Sequence, residues 1–309
     1  AAVINPEGQM VVLTTDILAE GVHFNLGYVP LKHLGYKAVV TNISDIAAMN
    51  ATPTQILVGL AISNRFPVEA LEEIYAGIAL ACKRYKVDLV GGDTTSSTSG
   101  LVMSITAIGL ENPENIVKRS GAKANDLLVV TGDLGGAYMG LQILEREHSV
   151  YLANPNMQPE MEGYDYILER QLKPEARTDI KKTLKELDIK PTSMIDVSDG
   201  LSSEILHLSD QSKVGFHLYE EKVPMDSLTI STAEELNLNP VMCALSGGED
   251  YELLFTIAPE DFDKIKNHPD FTIVGHAVDL EQGNFLIARG SNELIPLNAQ
   301  GWDAFLNRQ

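Results

Sequence analysis

Cysteine is scarce in this sequence: Cys82 and Cys243 are the only two among 309 residues. Two cysteines exclude a disulfide framework and any zinc or iron–sulfur site built on several cysteines. Long apolar runs are also missing, because no segment approaches the roughly 18 residues that a membrane helix needs. The first residues show no basic region followed by an apolar one, so no signal peptide is visible. These absences predict a soluble cytoplasmic protein without a membrane partner.

Positive charge is in short supply as well. Lysine and arginine total 23 against 43 aspartates and glutamates, which gives a net charge of −20. Such a chain repels polyanions, so we expect no nucleic-acid partner. The surplus of carboxylates instead favours divalent cations. Apolar residues make up 44% of the chain, which is enough to build real cores.

The length and the pattern of apolar residues predict two domains. Strand-like and helical patterns alternate through the first part, and the clearest helix is predicted over 68–85. A polar stretch over 111–126 marks a domain boundary, so we predict domains at 1–115 and 116–309. Residues 148–165 are rich in Asn, Pro, Met and Tyr and predict a loop.

Acidic residues recur where predicted strands end. They are Asp16, Asp93, Asp133, the pair Asp196 and Asp199, and the pair Glu249 and Asp250. Asp45 follows a similar apolar run, but in a helix-like segment. Strand ends are where α/β proteins usually bind ligands. Converging carboxylates repel one another, and Mg²⁺ relieves that repulsion while sharing its oxygen ligands with phosphates. The hydroxyls of Thr14, Thr15 and Ser198 stand beside these acids.

Each motif alone also has a plainer explanation. The Gly-Gly-Asp at 91–93 is typical of a tight turn. Asp196 and Asp199 are well placed to cap the helix that begins at Leu201. The chain lacks the P-loop, the protein-kinase motifs and the dinucleotide fingerprint. Any phosphoryl transfer would therefore use an Asp-rich magnesium site.

Six segments, taken in order, resemble one known family. They are TTDILAEGVHF (14–24), NISDIAAMNATP (42–53), GGDTT (91–95), RSGAKANDLLVVTGDLG (119–135), IDVSDGL (195–201) and SGGEDYELLFT (246–256). Together they resemble the thiamine-monophosphate kinase family, within the aminoimidazole ribonucleotide synthetase-like superfamily. The resemblance covers nearly the whole chain, and GVHF, SDIAAM and GGEDYELLFT are specific motifs.

The resemblance implies a reaction and a set of metal ligands. It implies that ATP phosphorylates thiamine monophosphate to thiamine diphosphate, with several Mg²⁺ ions and by direct in-line transfer. Asp45, Asp93 and Asp199 match the family's catalytic acids. The matching metal positions are Thr14, Thr15, Asp16, Asp45, Asp93, Asp196 and Asp199.

The resemblance also implies nucleotide contacts. These are Tyr75, Gly92, Asp93, Arg119 and Ser198. Tyr75 lies on an apolar helix face, so a core role is an equal alternative. Arg119 is equally suited to pairing with a neighbouring carboxylate.

The matching substrate contacts are His23, Glu249 and Trp302. Trp302 is the single tryptophan, and it is suited to stacking on the cationic thiazolium ring. A C-terminal packing role for Trp302, a salt bridge of Glu249 and a structural role for His23 stay open as alternatives.

Two of the departures from the family pattern concern its recognised segments. The family has an Asp-rich segment before its first strand, and this sequence begins at Ala1, where that segment would end. We therefore expect at least one metal-binding Asp to lie outside this sequence. The family's Pro-x-Pro-Arg motif appears as PEAR at 174–177.

Three other functions compete with this interpretation. Selenophosphate and hydrogenase-maturation enzymes use a reactive cysteine, whereas Cys82 and Cys243 both lie in apolar surroundings. Purine-pathway synthetases lack the combination of GVHF and GGEDYELLFT. A non-catalytic nucleotide or Mg²⁺ sensor would bind ATP and release no ADP.

The fold class that we predict is α/β, of the α+β type. The resemblance implies two αβ domains of the aminoimidazole ribonucleotide synthetase-like fold around an ATP cleft. It also implies a homodimer in which the N-domain sheets of two subunits pair.

Overall fold

The computed structural model describes Ile4 and residues 6–299. The chain forms two compact units. The first comprises residues up to Ile116, Gln142–Gly163 and Leu172–Leu184, and the second comprises Val117–Leu141, Tyr164–Gln171 and residues from Lys185 onward. The predicted division at 115/116 lies next to the first change of unit. Two later segments belong to the first unit as well, and Ala176 from one of them is buried in its core.

The first unit contains a four-stranded sheet within the described residues. Its strands are β1 (Met10–Ala19), β2 (Thr52–Ile62), β3 (Asp88–Ser96) and β4 (Leu101–Glu111). Their order across the sheet is β1-β4-β2-β3, with β3 parallel to β2 at the edge and the other pairs antiparallel. Helices α1 (Leu31–Ala48) and α2 (Val68–Tyr85) pack with one face of this sheet around a shared core.

The sequence of α2 explains its limits. Pro67 precedes the first turn with an extended backbone, and Lys86 ends the helix in a left-handed conformation. Glu69 in the first turn and the basic residues of the last turn both suit the helix dipole. The predicted helix over 68–85 is therefore confirmed at both ends.

The second unit is built on a seven-stranded sheet within the same described part of the chain. Its strands are β5 (Leu127–Thr131), β6 (Ser193–Asp196), β7 (Gly215–Tyr219), β8 (Leu253–Ile257), β9 (Phe271–Val278), β10 (Asn284–Ile287) and β11 (Leu294–Pro296). They are ordered β11-β10-β7-β9-β5-β8-β6. Most pairs are antiparallel, and β10 runs parallel to β7. The sheet and helices of each unit confirm the predicted α/β class of the α+β type.

The remaining helices follow β5 along the chain. They are α3 (Gly136–Ala153), α4 (Asp165–Leu172), α5 (Ile180–Glu186), α6 (Leu201–Ser212), α7 (Ser227–Glu235), α8 (Pro240–Ser246) and α9 (Phe262–Ile265). The loop predicted from residue 148 is wrong over 148–153, where α3 continues. Those six positions contain no Gly or Pro, and the first helix-breaking residue is Pro155. In the portion that the structure describes, no helix combines the length and the apolar character that crossing a membrane requires.

Candidate active site

In the first unit, β1 and α1 bring a group of oxygen-bearing side chains together. Thr14 and Asp16 are two positions apart on β1, so both side chains lie on the side that faces α1. The Thr14 hydroxyl donates a hydrogen bond to the Asp45 carboxylate on α1. The Asp16 N–H donates to the Asn42 side-chain oxygen at 3.0 Å. Thr14, Asp16 and Asp45 therefore lie on one side of the sheet, as neighbours across the β1–α1 contact.

Thr15 lies on the opposite face of the same strand. Its hydroxyl donates to the Ile105 carbonyl at 3.0 Å and accepts from the Thr106 hydroxyl at 3.1 Å. Side chains alternate along a strand, so consecutive residues cannot share a face. The structure therefore does not bring the Thr15 side chain to Thr14, Asp16 and Asp45, although Thr15 was among the predicted metal positions.

Gly92 and Asp93 lie on the edge strand β3. A Cβ at Gly92 would stand 1.9 Å from the Val58 carbonyl oxygen, so only glycine fits there. Asp93 is exposed and lines an open cavity of about 450 Å³ with the hydroxyl residues Ser104 and Thr106. The register pairs Asp93 with Gly59, and Gly59 with Ser104. The cavity therefore opens on the sheet face of Ser104, and Asp93 stands apart from the Asp45 group.

In the second unit, two predicted motifs run side by side. The Glu249 N–H donates to the Ser198 carbonyl at 2.7 Å, and the Tyr251 N–H donates to the Val197 carbonyl at 2.9 Å. A Cβ at Gly248 would lie 2.6 Å from the Ser198 carbonyl oxygen, which explains the glycine at that close approach. The loop after β6 and the loop before β8 thus form one surface that carries Ser198, Asp199 and Glu249.

Glu204 supports the acidic loop after β6. Its carboxylate accepts the Asp199 N–H at 3.0 Å and the Ser198 hydroxyl at 3.3 Å. Burial raises the pKa of Glu204 to about 8, and the neighbouring Asp196 and Asp199 act in the same direction. Gly200 is the N-cap residue of α6, and as a glycine it offers no side chain to cap the helix.

A buried ionic cluster fixes the loop before β8. Arg170 on α4 donates to the Glu252 carboxylate at 2.9 Å, and it also reaches the Asp133 carbonyl at 2.9 Å and the Asp250 carbonyl at 3.3 Å. Asp250 is 1% exposed and accepts the Gly135 N–H at 2.8 Å. Burial raises the pKa of Asp250 to about 6, while Arg170 acts in the opposite direction.

Comparisons with known proteins identify the relatives of this chain. The family model described as AIR synthase related protein, N-terminal domain, matches residues 1–110. The thiamine-monophosphate kinase of Bacillus subtilis (strain 168) is 32% identical over 303 residues, which cover 96% of this chain and 89% of that protein. The solved structure of AaThiL complexed with AMPPCP and TMP has a TM-score of 0.82 at 30% identity, covering 98% of this chain and 89% of that one.

The chain belongs to the thiamine-monophosphate kinase family. It is accordingly an enzyme, a phosphotransferase of the kinase type. The E. coli HypE, a hydrogenase maturation protein, has a TM-score of 0.72 at 18% identity and covers 94% of this chain and 86% of its own. That likeness shows the shared fold alone.

The other residues that the family resemblance pointed to have these positions. Tyr75 is half-buried against the core of the first unit. His23 is exposed, and its ring Nδ1 accepts the Ala19 N–H at 3.1 Å. The backbone carbonyl of Arg119 accepts a hydrogen bond from Ser212, and the charge of Arg119 partly opposes the rise in the pKa of Glu204 that burial causes. Trp302 lies outside the described residues.

The oxygen donors of each unit suit the Mg²⁺ that the kinase family implies. No group of three or more His, Cys, Asp or Glu side chains within the described residues is arranged to hold a metal ion. Mg²⁺ needs less, because it is commonly held by one or two carboxylates and completed by water and substrate phosphate oxygens. Asp16 and Asp45 with the Thr14 hydroxyl provide that kind of donor set, and so do Asp196 and Asp199 with Ser198.

Sequence reasoning missed Arg170, Gln171 and Glu204 as site residues. Arg170 and Gln171 belong to no motif, and only the folded structure marks them: Gln171 is buried, and Arg170 pairs with the Glu252 carboxylate. Glu204 had a usable signal. It follows Asp199 by five residues, one helical turn into α6, where its carboxylate accepts the Asp199 N–H just before the helix.

Proposed function

We propose that this kinase transfers the γ-phosphoryl group of ATP to thiamine monophosphate and forms thiamine diphosphate and ADP. A terminal phosphate oxygen of thiamine monophosphate attacks the γ-phosphorus of ATP. The new P–O bond forms while the bond to the ADP oxygen breaks, so the phosphoryl group moves in one step. The attacking oxygen is already ionised near pH 7, so no general base is required.

The observation that carries this proposal is the pairing of Thr14 with Asp45 beside Asp16. It places two carboxylates and a hydroxyl on one face of the first unit, in a chain whose relatives over nearly its whole length are thiamine-monophosphate kinases. The AaThiL complex with AMPPCP and TMP supports the same pair of substrates for this chain.

The acidic residues are proposed to hold several Mg²⁺ ions. Thr14, Asp16 and Asp45 would hold metal on one face of the first sheet, and Asp93 on β3 would hold metal separately from them. Asp196 and Asp199 would hold metal in the second unit. Bound Mg²⁺ supplies charge neutralisation, which allows two strongly negative phosphates to approach each other.

The polar residues around these acids are proposed to bind the organic substrates. Gly92 lets the nucleotide approach the β3 backbone closely, and Ser198 offers a hydroxyl on the loop after β6. Tyr75 and Arg119 are further nucleotide contacts. Glu249 and His23 contact thiamine monophosphate, and a contact from Trp302 stays a prediction. Catalysis then rests on positioning and charge stabilisation.

The outer face of the first sheet supports a homodimer. We define this face by Leu13, Ile17, Thr15, Ser104 and Thr106. Leu13 is 65% exposed and Ile17 is 58% exposed, although both are large apolar side chains on a regular strand. Large apolar side chains exposed at a sheet surface favour a partner. A second copy that covers this face is the proposed assembly.

Incubating the protein with ATP, Mg²⁺ and thiamine monophosphate tests the activity by ³¹P NMR. The expected result is a new pair of diphosphate signals from thiamine diphosphate, in equal amount to ADP. Asp45→Asn is expected to abolish the reaction, because it removes a carboxylate charge from the proposed metal site. Asp88→Asn is the matched control, since Asp88 is an exposed acid on β3 outside the proposed site.

Two other results would contradict the proposed function or the proposed role of Asp45. ATP binding without release of ADP would favour the nucleotide-sensor alternative. An active Asp45→Asn variant would remove Asp45 from the catalytic residues.

A further inference from the structure

Gln171 reaches the carboxylate that is proposed to face the substrate. It lies on α4 and is 4% exposed. Its side-chain nitrogen donates a hydrogen bond to Glu249 Oε2 at 3.0 Å. An amide N–H can only donate, so this contact stabilises the ionised carboxylate and fixes its direction.

The backbone that carries Glu249 is in an unfavourable conformation. Glu249 has φ +61° and Tyr251 has φ +53°, both in the left-handed region that non-glycine residues rarely occupy. Such strain persists only where the surroundings enforce it, and it concentrates at functional sites. Here the loop before β8 is held on one side by hydrogen bonds to the carbonyls of Val197 and Ser198.

Arg170, the residue before Gln171, holds the other side of this loop. Its guanidinium binds the Glu252 carboxylate and the Asp250 carbonyl. Consecutive residues of one short helix therefore contact both the backbone and the key side chain of the loop. Neither contact is needed to form the sheet, because β8 pairs with its neighbours through its own backbone.

We propose that Gln171 is a positioning residue of the substrate site. It sets the Glu249 carboxylate for a cationic, N–H-bearing substrate, on a loop that Arg170 fixes. This inference rests on the proposed function, since it takes thiamine monophosphate as the substrate that Glu249 contacts. Gln171 acts through Glu249 and is not itself a catalytic residue.

Gln171→Met tests the proposal because methionine keeps the length of the side chain and removes the donor. The KM for thiamine monophosphate is expected to rise about 10-fold, which corresponds to the loss of one hydrogen bond to a charged group. The kcat and the KM for ATP are expected to change less than about twofold, because the proposed role concerns one substrate. Gln142→Met is the matched control, since Gln142 contacts Glu145 on α3 at only 3.4 Å.

A double-mutant cycle separates positioning from general packing. Glu249→Ala is expected to raise the KM for thiamine monophosphate at least as much as Gln171→Met. In the Glu249→Ala background, Gln171→Met is expected to add less than about twofold, because the contact it would break is already absent. Independent, multiplicative effects of the two changes would overturn the proposal.

A second variant covers the case in which Gln171→Met does not fold. Gln171→Glu keeps the size and places a second carboxyl against Glu249. Its KM for thiamine monophosphate is expected to fall as the pH is lowered, because protonating one carboxyl removes the repulsion. A KM with the pH dependence of the unchanged protein would overturn the proposal.

The activity of the unchanged protein separates a failure of the proposed function from a failure of the positioning role of Gln171. If the protein makes no thiamine diphosphate even with the Asp-rich segment expected before Ala1 restored, the proposed function fails. If it makes thiamine diphosphate and Gln171→Met has an unaltered KM, the positioning role fails and the proposed function stands.

Discussion

Thr14 and Thr15 are consecutive residues of the same type with different surroundings. Thr14 donates to Asp45, whereas Thr15 bonds the Ile105 carbonyl and Thr106 on the opposite face. The alternation of a strand predicts from sequence that the two must diverge. Which of them faces the acids depends on α1, which packs on one side of the sheet. Tertiary packing therefore decides which threonine of the Thr-Thr-Asp motif lies beside the acids.

Exchanging each threonine for valine tests this assignment. Valine has nearly the same shape and lacks the hydroxyl. We expect Thr14→Val to raise the Mg²⁺ concentration for half-maximal rate by roughly 10-fold or more, because partners that orient metal ligands typically contribute that much. Thr15→Val is expected to raise it far less. The measurement is a Mg²⁺ titration of the steady-state rate, and an equal response of both variants would contradict the assignment.

Arg170 and Gln171 show what sequence reasoning could not reach at the residue scale. Asp250 and Glu252 lie inside a recognisable motif, but their partner Arg170 is about 80 positions away in a segment without a motif. An arginine in a short polar helix is usually solvated. Only the folded second unit reveals that this one is buried among carboxylates.

At the element scale, the contact between α1 and α2 depends on two glycines. A Cβ at Gly77 of α2 would lie 1.9 Å from the Lys32 carbonyl oxygen, and one at Gly35 of α1 would lie 2.1 Å from the Ile74 carbonyl oxygen. The helices therefore approach each other backbone to backbone. This closeness keeps α1 fixed against β1, where Asp45 meets Thr14.

Gly77→Ala separates helix propensity from packing. Propensity alone predicts a gain of about 1 kcal/mol, because alanine is the better helix former. The close contact predicts a loss of about 1 to 3 kcal/mol, since backbone atoms must move to admit the methyl group. We expect a lower thermal midpoint by calorimetry. Glu72→Ala, at an exposed site on the same helix, is the control, and a raised midpoint for Gly77→Ala would favour propensity.

Prediction of the elements succeeded where periodicity was regular. The apolar face of α2 and its flanking Pro67 predicted its limits, and both ends are confirmed. The end of α3 was misplaced because it was predicted from the composition of the following segment rather than from a helix-breaking residue. Pro155 was the better signal.

At the scale of the whole molecule, a single cut could not describe the chain. The polar stretch at 111–126 predicted one boundary at 115/116, whereas the chain changes unit after Ile116 and again at later positions. The return of Leu172–Leu184 to the first unit depends on long-range contacts. Glu175 accepts hydrogen bonds from Tyr36 at 2.9 Å and Tyr85 at 2.8 Å. No local sequence pattern encodes the contact between Tyr36 and Glu175, which are 139 positions apart.

The outer face of the first sheet, defined above, leads to a prediction about assembly. If a second copy covers it, a charge at its centre should separate the subunits, because an unpaired buried charge costs several kcal/mol. We expect a dimer for the unchanged protein and a monomer for Leu13→Lys in light scattering at matched concentration. Leu152→Lys is the control, since Leu152 is equally exposed, at 66%, and lies on α3 rather than on the sheet. A dimer that survives Leu13→Lys, or one that Leu152→Lys separates, would place the subunit interface elsewhere.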